Sequence, residues 1–517
     1  MTVATNPKPQ RWDCSKANRV TLAGLLGDDY QLDHSAPSTR TLELYDSFDR
    51  PFSKNGQSLV RLGGIFSIID DDQLSNPTTS SKQKIKHHRP VFWWDFEDGD
   101  FQSVLRSQLK LRAALPLAKA DLEESLFRVR NADRKIVLRL SLHTILDSGE
   151  ILAQTLTAHP LVGYEDEAND IAQRLSNSPD LSADTNGLLA CVRELVDAPS
   201  ALPSSKAQIS LHPNESLQKA VTRIARTMLE TARHSEPGII DDIDTEFLHD
   251  YRVAIRKLRS VVTLVKGAYP AEERRRLKSE FGDHARATNR LRDLDVYLLQ
   301  EDQYRNLVPE NLRSGLDRMF DDFRRDRGRE ITTVRRRLRS KSYLKAMQQR
   351  TDWLNAEDLP AGARADQEIG SVVTREILKH YRHVRKLGMA LTDSTPDEQV
   401  HELRIECKRL RYLLELFASL FDQKGLRKIL RRLKGLQNVL GDFNDFSMQS
   451  IAMEDYLHKA PKLDKHTSAA LGALIAVLYN EQLKARASVA ERFSQFSDGK
   501  MRKRFQTLFS NLQSPEP

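Results

Sequence analysis

The chain has 517 residues with a formal net charge of +8, a length that indicates two or three domains. Its three cysteines form no Cys-x-x-Cys pair, which argues against a disulfide framework or a zinc site. The sequence also contains no long apolar stretch and no signal-peptide pattern, so we expect a cytoplasmic protein without membrane contact. No cofactor or metal is expected, and the sequence leaves the oligomeric state open.

The positive charge is concentrated in the C-terminal part of the chain. Residues 1–200 contain 23 Lys and Arg against 28 Asp and Glu, whereas residues 201–517 contain 57 against 44. Such an asymmetry indicates a polyanionic partner for the C-terminal part alone.

Residues 1–197 mix strand-like and helical patterns, which predicts an α+β domain. The predicted strands are 41–46, 58–69, 89–96, 126–130, 135–146 and 152–162, and the predicted helices are 105–117 and 165–175. The polar stretch 70–86 predicts a flexible insertion, and residues 131–134 predict a hairpin loop. Residues 198–213 are rich in proline and serine and predict a linker.

Residues 214–512 have helical periodicity almost throughout and predict an all-α domain. The predicted helices are 215–235, 244–268, 271–300, 310–350, 368–391, 397–421, 424–457 and 464–495, with a short one ending near 512. They divide into two copies of a four-helix unit, at about 214–350 and 366–512. We expect Asp244 or Thr245 to cap the second helix of the first copy, and Thr395 or Asp397 to cap its counterpart.

Two strings 152 residues apart follow the same pattern, H-x-x-R-x-x-x-[RK]-[RK]-L-R. The basic residues of the first string are His249, Arg252, Arg256, Lys257 and Arg259, and those of the second string are His401, Arg404, Lys408, Arg409 and Arg411. Apolar positions repeat at the same offset, for example Leu258 with Leu410 and Phe281 with Leu433. The strings therefore belong to a duplicated helical unit.

Each string predicts an amphipathic helix with a stripe of one charge. At about 100° per residue, Arg252 and Arg256 lie on one side of the helix and Leu258 lies on the other. Like charges at this spacing repel each other, so the stripe indicates an anion site. The alternative is a structural stripe that Asp293 and Asp445 neutralise.

The composition of the stripe favours phosphate over nucleic acid as the ligand. Guanidinium groups bind phosphate oxygens in bidentate fashion. Proteins that bind single-stranded nucleic acid usually add aromatic side chains that stack on the bases, and the strings have no periodic aromatics. Nucleic acid remains the less favoured ligand.

The two strings, each followed by an aspartate segment at 291–296 or 440–445, resemble the CHAD family (conserved histidine α-helical domain) over about 210–512. This resemblance implies two pseudo-symmetric four-helix bundles, a basic channel between them and binding of inorganic polyphosphate. It implies phosphate ligands at His249, Arg252, Arg256, Arg259, Arg292, His401, Arg404, Lys408 and Arg411. We add Lys257 and Arg409, the remaining cations of the strings, as candidate ligands.

Residues 42–49 and 56–61 resemble the CYTH family, which has a triphosphate tunnel fold, and this implies a degenerate antiparallel barrel for 1–197. The E-x-E-x-K strand of that family, which supplies carboxylates for a metal ion, is absent from residues 1–200. We therefore expect a polyphosphate-binding protein without catalytic residues, associated with polyphosphate granules. The alternative is a metal-dependent triphosphatase or polyphosphatase that uses Glu43, Asp46 or Asp147.

Overall fold

The computed structural model describes residues 10–14, 22–70, 78–85, 90–184, 188–195, 209–392, 394–460 and 462–510. The chain divides into two compact units, residues 1–202 and residues 203–517. Within the described ranges, no helix combines the length and the apolar character that a membrane span requires.

The first unit is built on one antiparallel sheet. Its described strands are β1 (Gln10–Asp13), β2 (Gln31–His34), β3 (Ser38–Asp46), β4 (Gln57–Leu62), β5 (Ile65–Asp70), β6 (Thr79–Lys84), β7 (Leu115–Arg130), β8 (Ile136–Asp147), β9 (Glu150–Pro160) and β10 (Ser182–Ala183). Their order is β10-β1-β9-β8-β7-β3-β4-β5-β6, and β2 pairs with the end of β7. The long strands β7, β8 and β9 follow one another in the chain and lie side by side, so the centre of the sheet is a meander.

Short helices cover the sheet and complete its cores. They are α1 (Leu22–Leu26), α2 (Pro51–Lys54), α3 (Asp100–Leu109), α4 (Glu165–Ser176) and α5 (Leu189–Glu194). Ile171 and Leu175 of α4 are fully buried in one cluster with Leu140 and Leu156 of the sheet. Packing of the apolar face of α4 against the sheet removes hydrophobic surface from water, and this burial stabilises the first unit.

Two predictions at the centre of this unit are wrong. The strand predicted at 89–96 is a short 3-10 helix at Trp93–Asp95, because the Asp95 side chain accepts a hydrogen bond from the Phe92 N–H at 2.9 Å. The helix predicted at 105–117 ends at Leu109, since Lys110 adopts a positive φ of 56°. The chain then enters β7, which begins eleven residues earlier than the strand predicted at 126–130.

Among the other predictions for the first unit, the structure corrects some and confirms others. The strand predicted at 58–69 is split into β4 and β5, because Gly63 and Gly64 have positive φ and form a turn. Part of the predicted flexible insertion is β6, while residues 71–77 lie outside the described residues. The hairpin loop is confirmed by the bond from Arg134 N to Asn131 O at 2.8 Å, and the helix predicted at 165–175 is confirmed as α4. Of the predicted linker, residues 198–208 lie outside the described residues.

The second unit consists of helices. They are α6 (Leu217–Ile240), α7 (Thr245–Leu264), α8 (Ala271–Arg286), α9 (Asn289–Leu299), α10 (Glu301–Leu307), α11 (Asp317–Leu338), α12 (Lys341–Asn355), α13 (Ile369–Met389), α14 (Asp397–Leu416), α15 (Gln423–Lys459), α16 (Lys465–Ser497) and α17 (Gly499–Ser510), with 3-10 turns at Glu310–Leu316 and Ala418–Leu420. The predicted α+β part followed by an all-α part is thus confirmed at this level.

Helix bounds in the two halves of this unit repeat with the offset of 152 residues, and we call positions at this offset equivalent. Helices α7 and α14 begin and end at equivalent positions. The halves differ downstream: the helix predicted at 271–300 is interrupted at Ala287 and Thr288, whereas α15 continues through the equivalent positions. The helix predicted at 310–350 is likewise interrupted, because Ser340 caps α12 by accepting from the Tyr343 N–H.

The two string-bearing helices start differently. The predicted cap Asp244 is confirmed, since its carboxylate accepts hydrogen bonds from two backbone N–H groups of the first turn of α7, at 2.9 and 3.2 Å. The cap predicted for α14 is wrong. Pro396 stands at that position, Thr395 accepts from the Thr392 N–H at 2.7 Å, and Asp397 pairs with Arg486 at 2.8 Å.

A shared core joins the two halves of the helical unit. Leu294 of α9 and Phe320 of α11 are buried in one cluster with Met453 of α15 and Leu474 of α16. Helices α9 and α15 are therefore held in place from their apolar sides, and their polar sides carry residues that reach the strings.

Candidate functional site

The two strings lie on α7 and α14, which pack against each other. Leu258 and Val262 on α7 and Leu410 and Leu414 on α14 are at most 2% exposed, so the apolar side of each helix faces the core. Burial of this side turns the basic stripe of each helix away from the core, as the periodicity predicts.

Cations of one string affect the pKa values of cations in the other string. Burial lowers the pKa of Lys408 to about 8, and Arg404 and Arg256 add to the effect by repulsion. Burial and the charge of Arg256 also lower the pKa of Arg404. Since Arg256 belongs to the first string and the other two belong to the second, the charges of the two strings act on one another across the packed helices α7 and α14.

Arg252 is a half-buried, oriented cation. Its guanidinium donates to Ala285 O at 2.8 Å, to Thr288 Oγ1 at 2.7 Å and to Asn289 Oδ1 at 2.9 Å. These acceptors lie where α8 ends and α9 begins and carry no charge. Burial and the charge of Arg256 lower the pKa of Arg252 to about 10.

The basic stripe predicts exposed side chains for Arg252 and Arg404, and this prediction is wrong because both are partly buried. Arg404 has a side chain only 15% exposed and lies 3.4 Å from Asp445. Arginine has a long aliphatic stem, so neighbouring helices can bury most of it while the charged end stays near the surface.

The histidines of the strings contact equivalent positions on α9 and α15. Arg292 Nη2 lies 3.1 Å from His249 Nδ1, and Asn444 Oδ1 lies 2.9 Å from His401 Nδ1. Arg292, predicted from the family resemblance, therefore stands beside the first string.

The remaining string residues have more varied surroundings. Arg411 bonds Glu415 at 2.6 Å and Gln437 at 3.3 Å, and Arg409 pairs with Glu406 on the flank of α14. Arg259 and Lys257 are half-buried, and the guanidinium of Arg259 lies beside Gly282 of α8. Of these residues, Arg411 also acts on Lys408 and helps to lower its pKa.

The aspartates neutralise only part of the stripe. Asp445 pairs with Arg404, and the charge of Asp293 acts on Arg252 and raises its pKa against the larger effect of burial. In addition, Arg256 Nε and Arg404 Nε are buried without a hydrogen-bond acceptor among the described residues. Glu415 and Glu406 pair with Arg411 and Arg409 of the second string, so carboxylates other than these two aspartates also contribute to the charge balance.

Thr288, Asn289 and Asn444 contribute to the site without being predicted as site residues. Thr288 and Asn289 orient Arg252 from a helix junction that the sequence predicts as continuous helix. A helix wheel of one string cannot find them, because they come next to it only through the packing of α7 against α8 and α9. The sequence indicates only Asn444, because this residue is at the position equivalent to Arg292.

Comparison with known proteins identifies this region. Residues 223–454 match the CHAD domain family. The chain contains a CHAD domain. The resemblance to that family seen in the strings is thereby confirmed, and both strings with Asp293 and Asp445 lie inside the matched residues of the CHAD domain.

The chain is similar to proteins from bacteria and from a plant. An uncharacterized protein of Mycobacterium tuberculosis is 26% identical over 306 residues, which cover 56% of this chain and 53% of that protein. The chain thus spans about half the length of this curated relative. A crystal structure of the CHAD domain from the plant Ricinus communis shows 22% identity and a TM-score of 0.48, and covers 58% of this chain and 97% of the other. PptA from Streptomyces chartreusis shows 16% identity and a TM-score of 0.41, with 54% and 99% covered.

The acidic residues considered for catalysis in the first unit have structural partners. Glu43 accepts a hydrogen bond from Arg61 at 2.6 Å, and both side chains are buried. Asp46 accepts from the backbone N–H groups of Ser47 at 2.8 Å and Ser53 at 3.1 Å, which fixes the start of α2. Asp147 ends β8. Across the ranges that the structure describes, no three or more His, Cys, Asp and Glu side chains form a group that could hold a metal ion.

Proposed function

We propose that the protein binds inorganic polyphosphate through the CHAD domain, with the strings of α7 and α14 forming the binding surface. One observation carries this proposal: Arg256 of the first string lies close enough to Arg404 and Lys408 of the second to lower the pKa of both. Cations held together against their own repulsion destabilise the free protein, and a polyanion relieves this cost. Each phosphate unit offers oxygens that guanidinium and ammonium groups bind well.

We further propose that the two halves, about 214–350 and 366–512, are bundles related by a pseudo-twofold axis with a basic channel between them. The repeated bounds of α7 and α14 support this. So does the contact between Ser314 Oγ and His466 Nε2 at 3.1 Å, because these are equivalent positions and residues at a twofold axis meet their own counterparts.

The N-terminal part completes the proposal. Residues 1–197 form a degenerate CYTH-like domain, joined to the CHAD domain by a linker at 198–213, and have no catalytic role. The ion pair of Glu43 with Arg61 supports this, since a carboxylate bound to a buried guanidinium is poorly placed to hold a divalent cation. The protein acts in the cytoplasm, at polyphosphate granules.

Titration calorimetry with polyphosphate of defined length tests the function. We expect the variant Arg256→Gln with Lys408→Gln to bind at least about tenfold more weakly, since each loses a charged hydrogen-bonding group. Its melting temperature should be unchanged or higher, because repulsion is removed.

The matched control is Arg275→Gln with Arg427→Gln, which removes the same charge at equivalent exposed positions near the starts of α8 and α15. This variant should bind like the unmodified protein. Equal affinity loss in both variants would indicate a nonspecific charge effect and overturn the assignment of the site. Steady release of phosphate from tripolyphosphate with Mg²⁺ would overturn the non-catalytic role.

A further inference from the structure

Arg259 of the first string and its equivalent Arg411 of the second differ in what neutralises their charge. Arg411 donates hydrogen bonds to Glu415 at 2.6 Å and to Gln437 at 3.3 Å. The equivalent positions in the first half carry no charge, and they are Thr263 and Ala285. In the described part of the chain, no residue forms a hydrogen bond or an ion pair with the guanidinium of Arg259. The two halves therefore share the arginine, but only the second half compensates its charge.

A second guanidinium lies beside that of Arg259. Arg286 Nη1 lies 3.3 Å, and Arg259 Nη1 lies 3.7 Å, from the position that a Cβ atom would take on Gly282 of α8. The two nitrogen atoms are therefore at most about 7 Å apart. A hydrogen bond from a guanidinium to a phosphate oxygen is about 2.8 Å long, so one phosphate group placed between the two side chains can accept from both.

The carboxylate nearest to this arginine pair is weakly held. Asp283 pairs with Arg286, and the two side chains are 55% and 66% exposed. Water and salt screen so exposed an ion pair, and its contribution to stability is small. Within the described ranges no carboxylate pairs with Arg259. A phosphate group can therefore take the place of Asp283 beside Arg286 at little cost and neutralise Arg259 at the same time.

The arginine pair adjoins the first string. Arg252 donates to Ala285 O at 2.8 Å, and Arg286 is the next residue, in the last turn of α8. Arg252 and Arg259 are seven residues apart on α7, which places them about two turns apart on one side of the helix. A linear polyanion that follows this side of α7 therefore reaches the arginine pair directly after Arg252.

We propose that Arg259 and Arg286 form a phosphate subsite that the second half lacks, which makes Arg286 a further polyphosphate-binding residue. This inference rests on the proposed function and names an asymmetry within its site. In the second half, Arg411 is bound by its own neighbours, and Asn438 is at the position equivalent to Arg286. The first half therefore binds its part of a polyphosphate chain more tightly than the second half does.

Calorimetry with polyphosphate of defined length on the full-length protein tests the subsite. We expect Arg286→Gln to bind about threefold to tenfold more weakly, because one charged hydrogen-bonding group is lost. The slope of log affinity against log salt concentration should fall by about one. The matched control is Arg275→Gln, about three turns earlier on α8, where the arginine likewise pairs with an exposed carboxylate three residues away, Glu272. This variant should keep both the affinity and the slope of the unmodified protein.

A second set of variants tests the difference between the halves. Arg259→Gln should weaken binding at least about threefold more than Arg411→Gln, because Arg411 already has two partners. Glu415→Gln removes the carboxylate from Arg411 and should strengthen binding about twofold. The double variant Arg259→Gln with Arg286→Gln should weaken binding by less than the product of the two single effects, because both side chains bind one phosphate group.

The proposal is overturned if Arg286→Gln binds like the unmodified protein, or if Arg275→Gln loses as much affinity. Equal losses for Arg259→Gln and Arg411→Gln, or single effects that simply multiply in the double variant, overturn it as well. A lower melting temperature of Arg286→Gln at unchanged affinity would show that this arginine only stabilises the end of α8, which also overturns the proposal.

The variant Arg256→Gln with Lys408→Gln is measured alongside and separates this inference from the proposed function. If that variant loses affinity while Arg286→Gln does not, the proposed function stands and the subsite is wrong. Absence of polyphosphate binding by the unmodified protein overturns both.

Discussion

Arg292 donates a hydrogen bond from Nη2 to His249 Nδ1 at 3.1 Å, and the equivalent pair in the second half is Asn444 with His401 at 2.9 Å. A guanidinium can only donate, so His249 must accept at Nδ1 and carries its proton on Nε2. Asn444 Oδ1 accepts from His401 Nδ1 instead, which leaves the other ring nitrogen of His401 as the acceptor in its neutral form. The two halves therefore share the histidine but differ in the residue that orients it.

This difference predicts unequal effects of removing the two orienting residues. Arg292→Ala should weaken polyphosphate binding about tenfold, because a cation and the orientation of His249 are lost together. Asn444→Ala removes a neutral group and should weaken it about twofold to threefold. Calorimetry on both variants compares them, and equal losses would contradict a direct electrostatic role of Arg292.

Arg252 should contribute to stability as well as to binding. Its guanidinium bonds three neutral acceptors at the junction of α8 and α9, so Arg252→Ala should lower the free energy of unfolding by about 1–3 kcal/mol. Arg252→Lys keeps the charge but loses the forked geometry and should be destabilised nearly as much. Urea unfolding measures this. A variant as stable as the unmodified protein would show that these hydrogen bonds have no net effect.

The lowered pKa of Lys408 predicts that polyphosphate binding depends on pH. Its pKa is lowered to about 8, so its charge is lost as the pH rises through 8. Affinity should therefore fall between about pH 7 and pH 9, and Lys408→Arg, which stays charged, should show a flatter profile. A parallel decline in Lys408→Arg would assign the effect to another group.

The lowered pKa of Lys408 also predicts that the free energy of unfolding changes with pH in the opposite direction to the binding affinity. The pKa of Lys408 is lower in the folded state than the ordinary value of 10.5, so between about pH 8 and pH 10.5 the unfolded state binds more protons. Its contribution to the free energy of unfolding therefore rises with pH across this window. Chemical unfolding of the unmodified protein and of Lys408→Gln, compared at pH 7 and pH 9.5, isolates this contribution as the difference between the two proteins.

Salt should weaken polyphosphate binding steeply, since binding releases counterions from the polyanion. Removal of one phosphate contact, as in Arg256→Gln, should lower the slope of log affinity against log salt concentration by about one. Arg275→Gln, at an exposed position near the start of α8, should leave the slope unchanged. Titration at three or more salt concentrations gives the slopes, and equal slopes in all three proteins would argue against a direct contact of Arg256 with phosphate.

Much of the helical unit followed from the sequence. The duplicated strings, the periodicity of the apolar residues and the prolines between helices predicted the family and most helix bounds, because these features depend on local spacing. The helical period also places Tyr251 on the apolar side of its helix, and the residue is 1% exposed and forms a hydrogen bond with Tyr343 at 3.1 Å. In the first unit the same reasoning missed β1, β2 and the true start of β7, since strand pairing over long distances decides those elements.

By itself, the sequence determined that each string forms a helix with apolar residues on one side and cations on the other. Only the tertiary structure decided that Arg256 lies near Arg404 and Lys408, that Arg252 is half-buried against the end of α8, and that Arg292 orients His249. The reason is physical: the period of a helix fixes the angle between residues of one helix. The distance between residues of different helices depends on packing, and packing depends on side chains far apart in the chain.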